Sequence, residues 1–448
     1  MARRPRTARV LHPEAGLSAV PELRVAHILL VGILRNGLTV ARQLSRAGHV
    51  VHIGVNEPDP WLFTSRHVRH AFWHPPLDLQ PEQALRAIRG HLDAHPEIEV
   101  LFPVSEVSVR LFSRLRRRFS DRVALVLPSE QVVETCIDKA AAFDLCGRIG
   151  VPIAPHAIVE DGAGLRRAVE AIGRPCVIKP VDALEGIFGR KAIILAAGDD
   201  LAAAVPRWPE PHRELCVQSL VEGPRHTVNF AARSGRLVGA VAMETLRTDR
   251  SDGLGYTTSF VSIAPHPEVA RSLEALVRAL DYTGVGCFQA MVDRATGRTS
   301  FLEINPRLGG SSGTAEICGL PLSLLAVELA LGRPPAAGAD PWRYPVGRRI
   351  VWTKGDLCGL KHQWRAGTVG PAAALRWAAA LAGEAFRRHL TFDLRDPGPS
   401  LWIYLHPLLR RLGLDPWRAI APAAPAAADE PERAGLDLRA SPASRAAA

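Results

Sequence analysis

The sequence predicts an α/β protein built in two consecutive blocks. Three observations carry that reading. Between residues 25 and 127, short apolar stretches alternate with helical patterns, the signature of a parallel sheet with crossover helices. From 128 to about 335, strand-like segments predominate. At the junction, Pro128-Ser129 interrupts the periodicity.

Taken in order, residues 1–24 mix Arg, Pro and Ala without periodicity and read as a loose lead-in. Strands are expected over 25–30, 49–55, 97–103 and 122–127, with helices over about 36–47, 81–94 and 106–119. The second block (128–335) reads as strands over 174–180, 191–196, 215–221, 225–232, 236–244, 257–264, 284–293 and 299–305. Its helical patterns fall at 138–149, 162–172, 267–282 and 312–331. Residues 336–412 form a C-terminal extension with enough tryptophans to pack: Trp342, Trp352, Trp364, Trp377 and Trp402. The Ala/Pro-rich tail, 413–448, is expected to be disordered.

Composition narrows the function classes. At roughly 150 residues per domain, 448 residues suggest about three domains. A hydrophobic fraction of 47% with 22% charged residues excludes wholesale disorder. No run approaches the ~18 apolar residues of a membrane span, and since Met1–Thr7 is not followed at once by an apolar h-region, no signal peptide is expected. Seven cysteines with no CxxC pair argue for reduced thiols in a cytoplasmic protein. The net charge of +10 is the balance of 55 basic and 45 acidic residues, and among the basic ones only Lys139, Lys179, Lys191, Lys354 and Lys361 are lysines. The arginines are spread along the chain rather than blocked with aromatics, so the charge does not point to nucleic acid.

The strongest chemical signal is the run Phe301-Leu-Glu-Ile-Asn-Pro-Arg-Leu-Gly-Gly-Ser-Ser312. On a strand, Glu303 and Asn305 share one face. The preceding turn, Asp293-Arg-Ala-Thr-Gly-Arg-Thr299, makes a hairpin centred on Thr296, which sets Gln289 opposite Glu303. Cross-strand partners lie about 5 Å apart, so Gln289, Glu303 and Asn305 can converge. Such an oxygen set suits a magnesium ion that also holds phosphates.

Gln289, Glu303 and Asn305-Pro306-Arg307 together resemble the metal and phosphate segment of the ATP-grasp superfamily, most of all its carbamoyl-phosphate synthetase-like branch. Three further stretches extend the likeness. Asp138-Lys139 with Gly150-Val-Pro-Ile-Ala-Pro155 resembles the start of an ATP-grasp domain, Cys176-Val-Ile-Lys179-Pro180 its second lysine, and Gln218-Ser-Leu-Val-Glu-Gly223 the hinge on which adenine stacks. The resemblance spans 128–335 and implies an ATP-grasp fold preceded by a Rossmann-like domain at 25–127. It also implies ATP and Mg²⁺ as cofactors. Lys139 and Lys179 would meet phosphates, Gly186 and Gly189 would approach them by backbone, and Gln218, Ser219 and Leu220 would line the base. Gln289, Glu303 and Asn305 would hold the metal, and Arg307 would act with Lys179 in catalysis. The implied reaction activates a carboxylate as an acyl phosphate for attack by an amine or thiol. Its partners are then small-molecule carboxylates and amines, with a homodimer as one option for assembly.

The chain also departs from the family pattern. The loop Val181–Gly189 has two glycines where a denser run is usual, Ser219 stands in place of a hinge glutamate, and Arg225 stands in place of a second acid. Glu222 is near that position but out of register. These departures keep open the alternative of an ATP-binding sensor or scaffold that no longer catalyses. Among minor candidates, Gly32 and Gly37 lack the third glycine of a dinucleotide loop. His67, His70 and His74 have helical spacing and read as a polar surface rather than a metal site. Ser105-Glu106, following a strand end, is a candidate substrate contact.

Overall fold

The computed structural model describes residues 24–32, 35–56, 61–182, 186–210, 212–333, 340–384 and 387–412. The expected lead-in before residue 24 and the tail 413–448 lie outside them, as do residues 183–185 of the loop after Lys179.

The first block forms a five-stranded parallel sheet of β1 (His27–Val31), β2 (Val50–Val55), β3 (His70–Trp73), β4 (Ile98–Pro103) and β5 (Ala124–Leu125). The order is β3-β2-β1-β4-β5, with every pair parallel. The chain therefore reverses direction across the sheet between β1 and β4, and the crevice beyond their carboxyl ends is where such sheets bind ligands. Gly32 sits there at φ +78°, and a Cβ on it would lie 2.4 Å from Ser105 Oγ. Its glycine is explained by that close approach rather than by a dinucleotide.

Two further sheets follow, the smaller antiparallel and the larger antiparallel except for one parallel pair at its edge. The smaller comprises β6 (His156–Val159), β7 (Cys176–Pro180), β8 (Ile193–Leu195) and β9 (Leu215–Ser219) in the order β6-β9-β7-β8. It is packed by Leu165, Ala168 and Val169 of the helix Gly162–Ile172. The larger comprises β10 (Arg225–Arg233), β11 (Arg236–Thr248), β12 (Thr257–Ser262), β13 (Gly284–Val292), β14 (Thr299–Asn305), β15 (Arg349–Val351) and β16 (Arg388–His389). Its order is β14-β13-β10-β11-β12-β15-β16. One face carries Phe230, Phe288 and Phe301 against Leu273, Leu276 and Val277 of the helix Pro267–Ala279. The other face shares a core with the first block, where Met243, Phe260 and Ile350 belong to the cluster that holds Ile28, Leu38 and Leu44. Each such side chain contributes about 1.5–3 kcal/mol on full burial. The common core fixes the first sheet relative to the large one.

The extension 336–412 is built into the large sheet, since β15 pairs with β12. Asp396 then grips the first block: it accepts from Arg42 Nε at 2.8 Å and from Ser65 Oγ at 2.8 Å, and Arg42 Nη1 reaches Thr391 O at 2.9 Å. The expected helix over 312–331 is in fact two, Ser312–Ile317 and Leu322–Ala330. Gly319 at φ +94° ends the first, and Pro321 caps the second. Strands β3 and β6 and the helix Glu130–Ile137 were not expected from the sequence. The helical reading of His67, His70 and His74 is corrected too. His70 opens a strand, His67 is buried against Ser45 Oγ at 3.0 Å, and His74 is buried with Nδ1 2.7 Å from Pro75 O. Among the described residues, no helix is long and apolar enough to cross a membrane.

These contacts set two expectations for stability. Removing one partner of a buried ion pair strands the other, so Asp396→Ala should lower unfolding free energy by about 3–5 kcal/mol in urea titrations. Burial pushes the Glu316 carboxyl up to about 7, against the pull of Ser323 N, which donates to it at 2.8 Å. A carboxyl raised on folding favours the folded state below its unfolded pKa, and that contribution is lost as pH rises through about 7. Glu316→Gln should therefore gain stability relative to the parent at pH 8 compared with pH 5, and an equal shift at both pH values would contradict this.

Candidate functional site

The hairpin β13–β14 supplies the floor of the site. Gln289 pairs with Glu303 and Cys287 with Asn305, as the turn symmetry predicted. Nearer the turn the register shifts by one residue, so Ala290 faces Phe301 and a bulge absorbs the extra residue. Glu303 and Asn305 remain on one face, and Asn305 Nδ2 donates to Glu303 Oε1 at 2.9 Å.

Three lysines converge on this floor from other elements. Lys139 opens the helix Lys139–Ile149, capped by Asp138, and its Nζ lies 3.4 Å from Val181 O. Lys179 projects from β7 and donates to Gln218 Oε1 at 2.8 Å. Lys191, just before β8, holds its ammonium 4.2 Å from the ring centre of Tyr256, a cation–π contact. Burial raises the Glu303 carboxyl, but Lys139, the Asn305 hydrogen bond, Lys191 and Lys179 outweigh it and hold the group below its ordinary value. Burial depresses the Lys179 ammonium, and Lys139 adds to this, against the opposing pull of Cys216 and Glu303. One carboxylate thus serves three ammonium groups, leaving a cationic surplus that suits a polyanion.

Arg307 lies just beyond β14. Its Nη2 donates to Glu106 Oε1 at 2.5 Å and its Nη1 to Leu308 O at 3.0 Å, while the buried Nε has no partner. Burial lowers the guanidinium pKa, and Glu106 reverses the shift to a net rise. Glu106 starts the helix Glu106–Arg114, whose cap Ser105 follows β4, so the first block reaches the site through this pair. The glutamate weighed as a substrate contact is thus engaged by an arginine.

A cavity of about 1280 Å³ opens above these groups. Lys139, Lys179, Gly186, Gly189, Gln218, Ser219, Leu220, Gln289, Glu303, Asn305 and Arg307 all line it. Gly189 (φ +72°) and Phe188 (φ +47°) form the turn of a tight hairpin closed by Ile187 and Arg190, a geometry that favours glycine. At the hinge, the N–H groups of Ser219 and Leu220 are taken by Pro155 O and Pro175 O, while buried Gln218 Nε2 has no partner. Arg225 also lines the cavity, but its guanidinium is held by Thr257 Oγ1 at 2.7 Å and Gly255 O at 3.2 Å, and burial lowers its pKa. Glu222 lines the wall as well.

Sequence reasoning missed Lys191, Tyr256 and Trp377 as lining residues. The scarcity of lysine was a usable signal for Lys191. Nothing marked Trp377, which reaches the cavity from the C-terminal extension and donates to Asp356 at 3.2 Å. Since removing Glu106 leaves the Arg307 guanidinium without its carboxylate and with only Leu308 O as a partner, Glu106→Ala should lower stability by about 1–3 kcal/mol. Added phosphate should stabilise that variant more than the parent in thermal melts, and equal stabilisation would contradict the pairing.

Residues 237–336 match the family described as carbamoyl-phosphate synthase L chain, ATP binding domain. The formate-dependent phosphoribosylglycinamide formyltransferase of Stenotrophomonas maltophilia (strain K279a) is 29% identical over 163 residues, 36% of this chain and 38% of that protein. The Bordetella parapertussis protein of the same name is 27% identical over 249 residues, 52% of this chain and 57% of its own. The chain therefore spans less than two thirds of these relatives. Among solved structures, N5-carboxyaminoimidazole ribonucleotide synthetase in complex with ADP superposes with a TM-score of 0.58 at 13% identity, covering 81% of this chain and 98% of that one. Biotin carboxylase from Campylobacter jejuni superposes with a TM-score of 0.57 at 16% identity, covering 73% and 74%. These structures share the fold of this chain.

Proposed function

We propose that this chain, a member of the ATP-grasp superfamily, is an ATP- and magnesium-dependent ligase that activates a small carboxylate for attack by an amine or thiol. The observation that carries the reading is the gathering of Lys139, Lys179 and Lys191 around half-buried Glu303 within one cleft.

The residues present fit Mg-ATP. Glu303, Asn305 and Gln289 offer the oxygen donors that magnesium prefers. The three ammonium groups supply the positive charge a triphosphate needs. Gln218 Nε2, buried and unpaired, offers a donor to the base beside Ser219 and Leu220, and Gly186 and Gly189 let backbone approach the phosphates. ATP would supply the phosphoryl group that makes the carboxylate an acyl phosphate, and Mg²⁺ would shield its charge. Lys179 stays close to the transferring group because Gln218 orients its ammonium. Arg307, steadied by Glu106, opposes negative charge at the reacting carboxylate, and contacts of this kind are typically worth roughly 10²–10³ in rate.

A cytoplasmic setting belongs to this reading, since all seven cysteines are unpaired. A homodimer is the assembly to test, because the helix Pro397–Arg411 leaves Leu401, Leu405 and Leu408 exposed. The sensor reading rests on a specific observation: Arg225, where an acid was expected, is committed to Thr257 and Gly255.

The decisive assay is ADP release against a panel of amino acids and small carboxylates. A ligase shows release stimulated by a particular pair, whereas nucleotide binding without stimulation supports the sensor. Glu303→Ala should reduce stimulated release to background with native circular dichroism, and full activity in that variant would refute the metal assignment.

A further inference from the structure

The end of the first sheet opposite the cleft carries a second concentration of chemistry. His27 opens β1, His52 lies in β2 and His70 opens β3. His91 and His95 come from the end of the helix Pro81–Ala94, His95 being its C-cap. The parallel register sets His52 beside His70 and next to Leu29 of β1. The result is a cluster in which the rings of His52, His70, His91 and His95 lie 4.5–5.3 Å apart wherever two of them are in contact. His52 is fully buried.

We propose that His52, His91 and His95 bind a divalent transition-metal ion of the zinc class, with the fourth position open beside His70. One ligand atom from each of the three lies within 4.8 Å of the others. His52 Nδ1 and His91 Nε2 are 3.1 Å apart. Two nitrogens bound tetrahedrally at 2.0–2.1 Å to one zinc ion are separated by about 3.3 Å, so the pair is already near ligand spacing. The surroundings also match what a metal-bound imidazole requires of its second nitrogen. His95 Nδ1 is 3.1 Å from Glu97 Oε1, which leaves Nε2 for the ion, and His52 Nε2 is 3.2 Å from His27 Nδ1. Phe72 stacks on His91 with ring centres 4.2 Å apart and fixes its plane.

A plain chain of imidazole hydrogen bonds accounts for the contacts of His27, His52 and His91. It does not account for the approach of His95 and His70 to the same point. Imidazole-only donors favour zinc, copper, nickel or cobalt over magnesium or calcium, which separates this site from the oxygen-rich cleft. Since its ligands come from β2 and the end of the helix Pro81–Ala94, the ion would clamp that helix to the amino-terminal end of the sheet.

The test uses tag-free full-length protein stripped with chelator and dialysed against Zn²⁺, with metal measured by mass spectrometry. One zinc per chain is expected, together with a rise in melting temperature and, with Co²⁺, the intense visible bands of a low-symmetry four-coordinate site. His91→Gln/His95→Gln should lose the bound metal and the visible bands. Glu97→Gln should weaken binding roughly 10–100-fold, and His362→Gln, on an exposed helix face, should change nothing. Circular dichroism of the apo forms establishes that the variants fold. If the double variant does not fold, Glu97→Gln, outside the ligand set, tests the same site through its weakened binding. No stoichiometric uptake by the parent, or undiminished uptake in the variants, would overturn the proposal.

Discussion

The structure turns on one half-buried carboxylate. Glu303 sits among Lys139, Lys179 and Lys191, and these come from a helix start, a strand end and a loop of the smaller sheet. Three ammonium groups held near one carboxylate repel each other, and burial adds a desolvation cost at Lys179. Such an arrangement persists only where packing enforces it, and it is completed when a polyanion enters. The smaller and larger sheets of the second block act as the jaws that enforce it: Lys179 is fixed by the backbone pairing of β7 with β9, and Glu303 by that of β14 with β13.

The rest of the chain holds the jaws in place. The first sheet and the large sheet share a continuous apolar core, so Glu106 meets Arg307 from a fixed direction. The C-terminal extension completes the frame from the other side. Asp356 and Glu384 both accept from Arg247 of β11, and Asp396 binds Arg42 of the first block. The segment that the sequence left without a role is therefore a brace, and it lends Trp377 to the cavity wall.

What the sequence made legible was local or nearly so. The Gln289–Glu303 pairing followed from turn symmetry, because a hairpin's register is set by its few turn residues. The one-residue bulge beyond it did not change which residues pair at the site. The lysines at 139 and 179 stood out through scarcity and through the motifs around them. Long-range juxtapositions were not legible. Nothing in the sequence pairs Glu106 with Arg307, 201 positions away, and no spacing rule brings His27, His52, His70 and His91 together. Parallel strands join residues that lie far apart in sequence, so only the sheet order reveals them. The helix break at Gly319–Pro321 was written in the sequence, but the apolar pattern on either side masked it.

The most direct test is a crystal structure with Mg²⁺ and a non-hydrolysable ATP analogue. The phosphates should lie among Lys139, Lys179 and Lys191, the metal on Glu303 and Asn305, and the base beside Gln218. A nucleotide bound elsewhere, or a cleft that stays closed to it at saturating concentration, would contradict the assignment of this cleft to Mg-ATP.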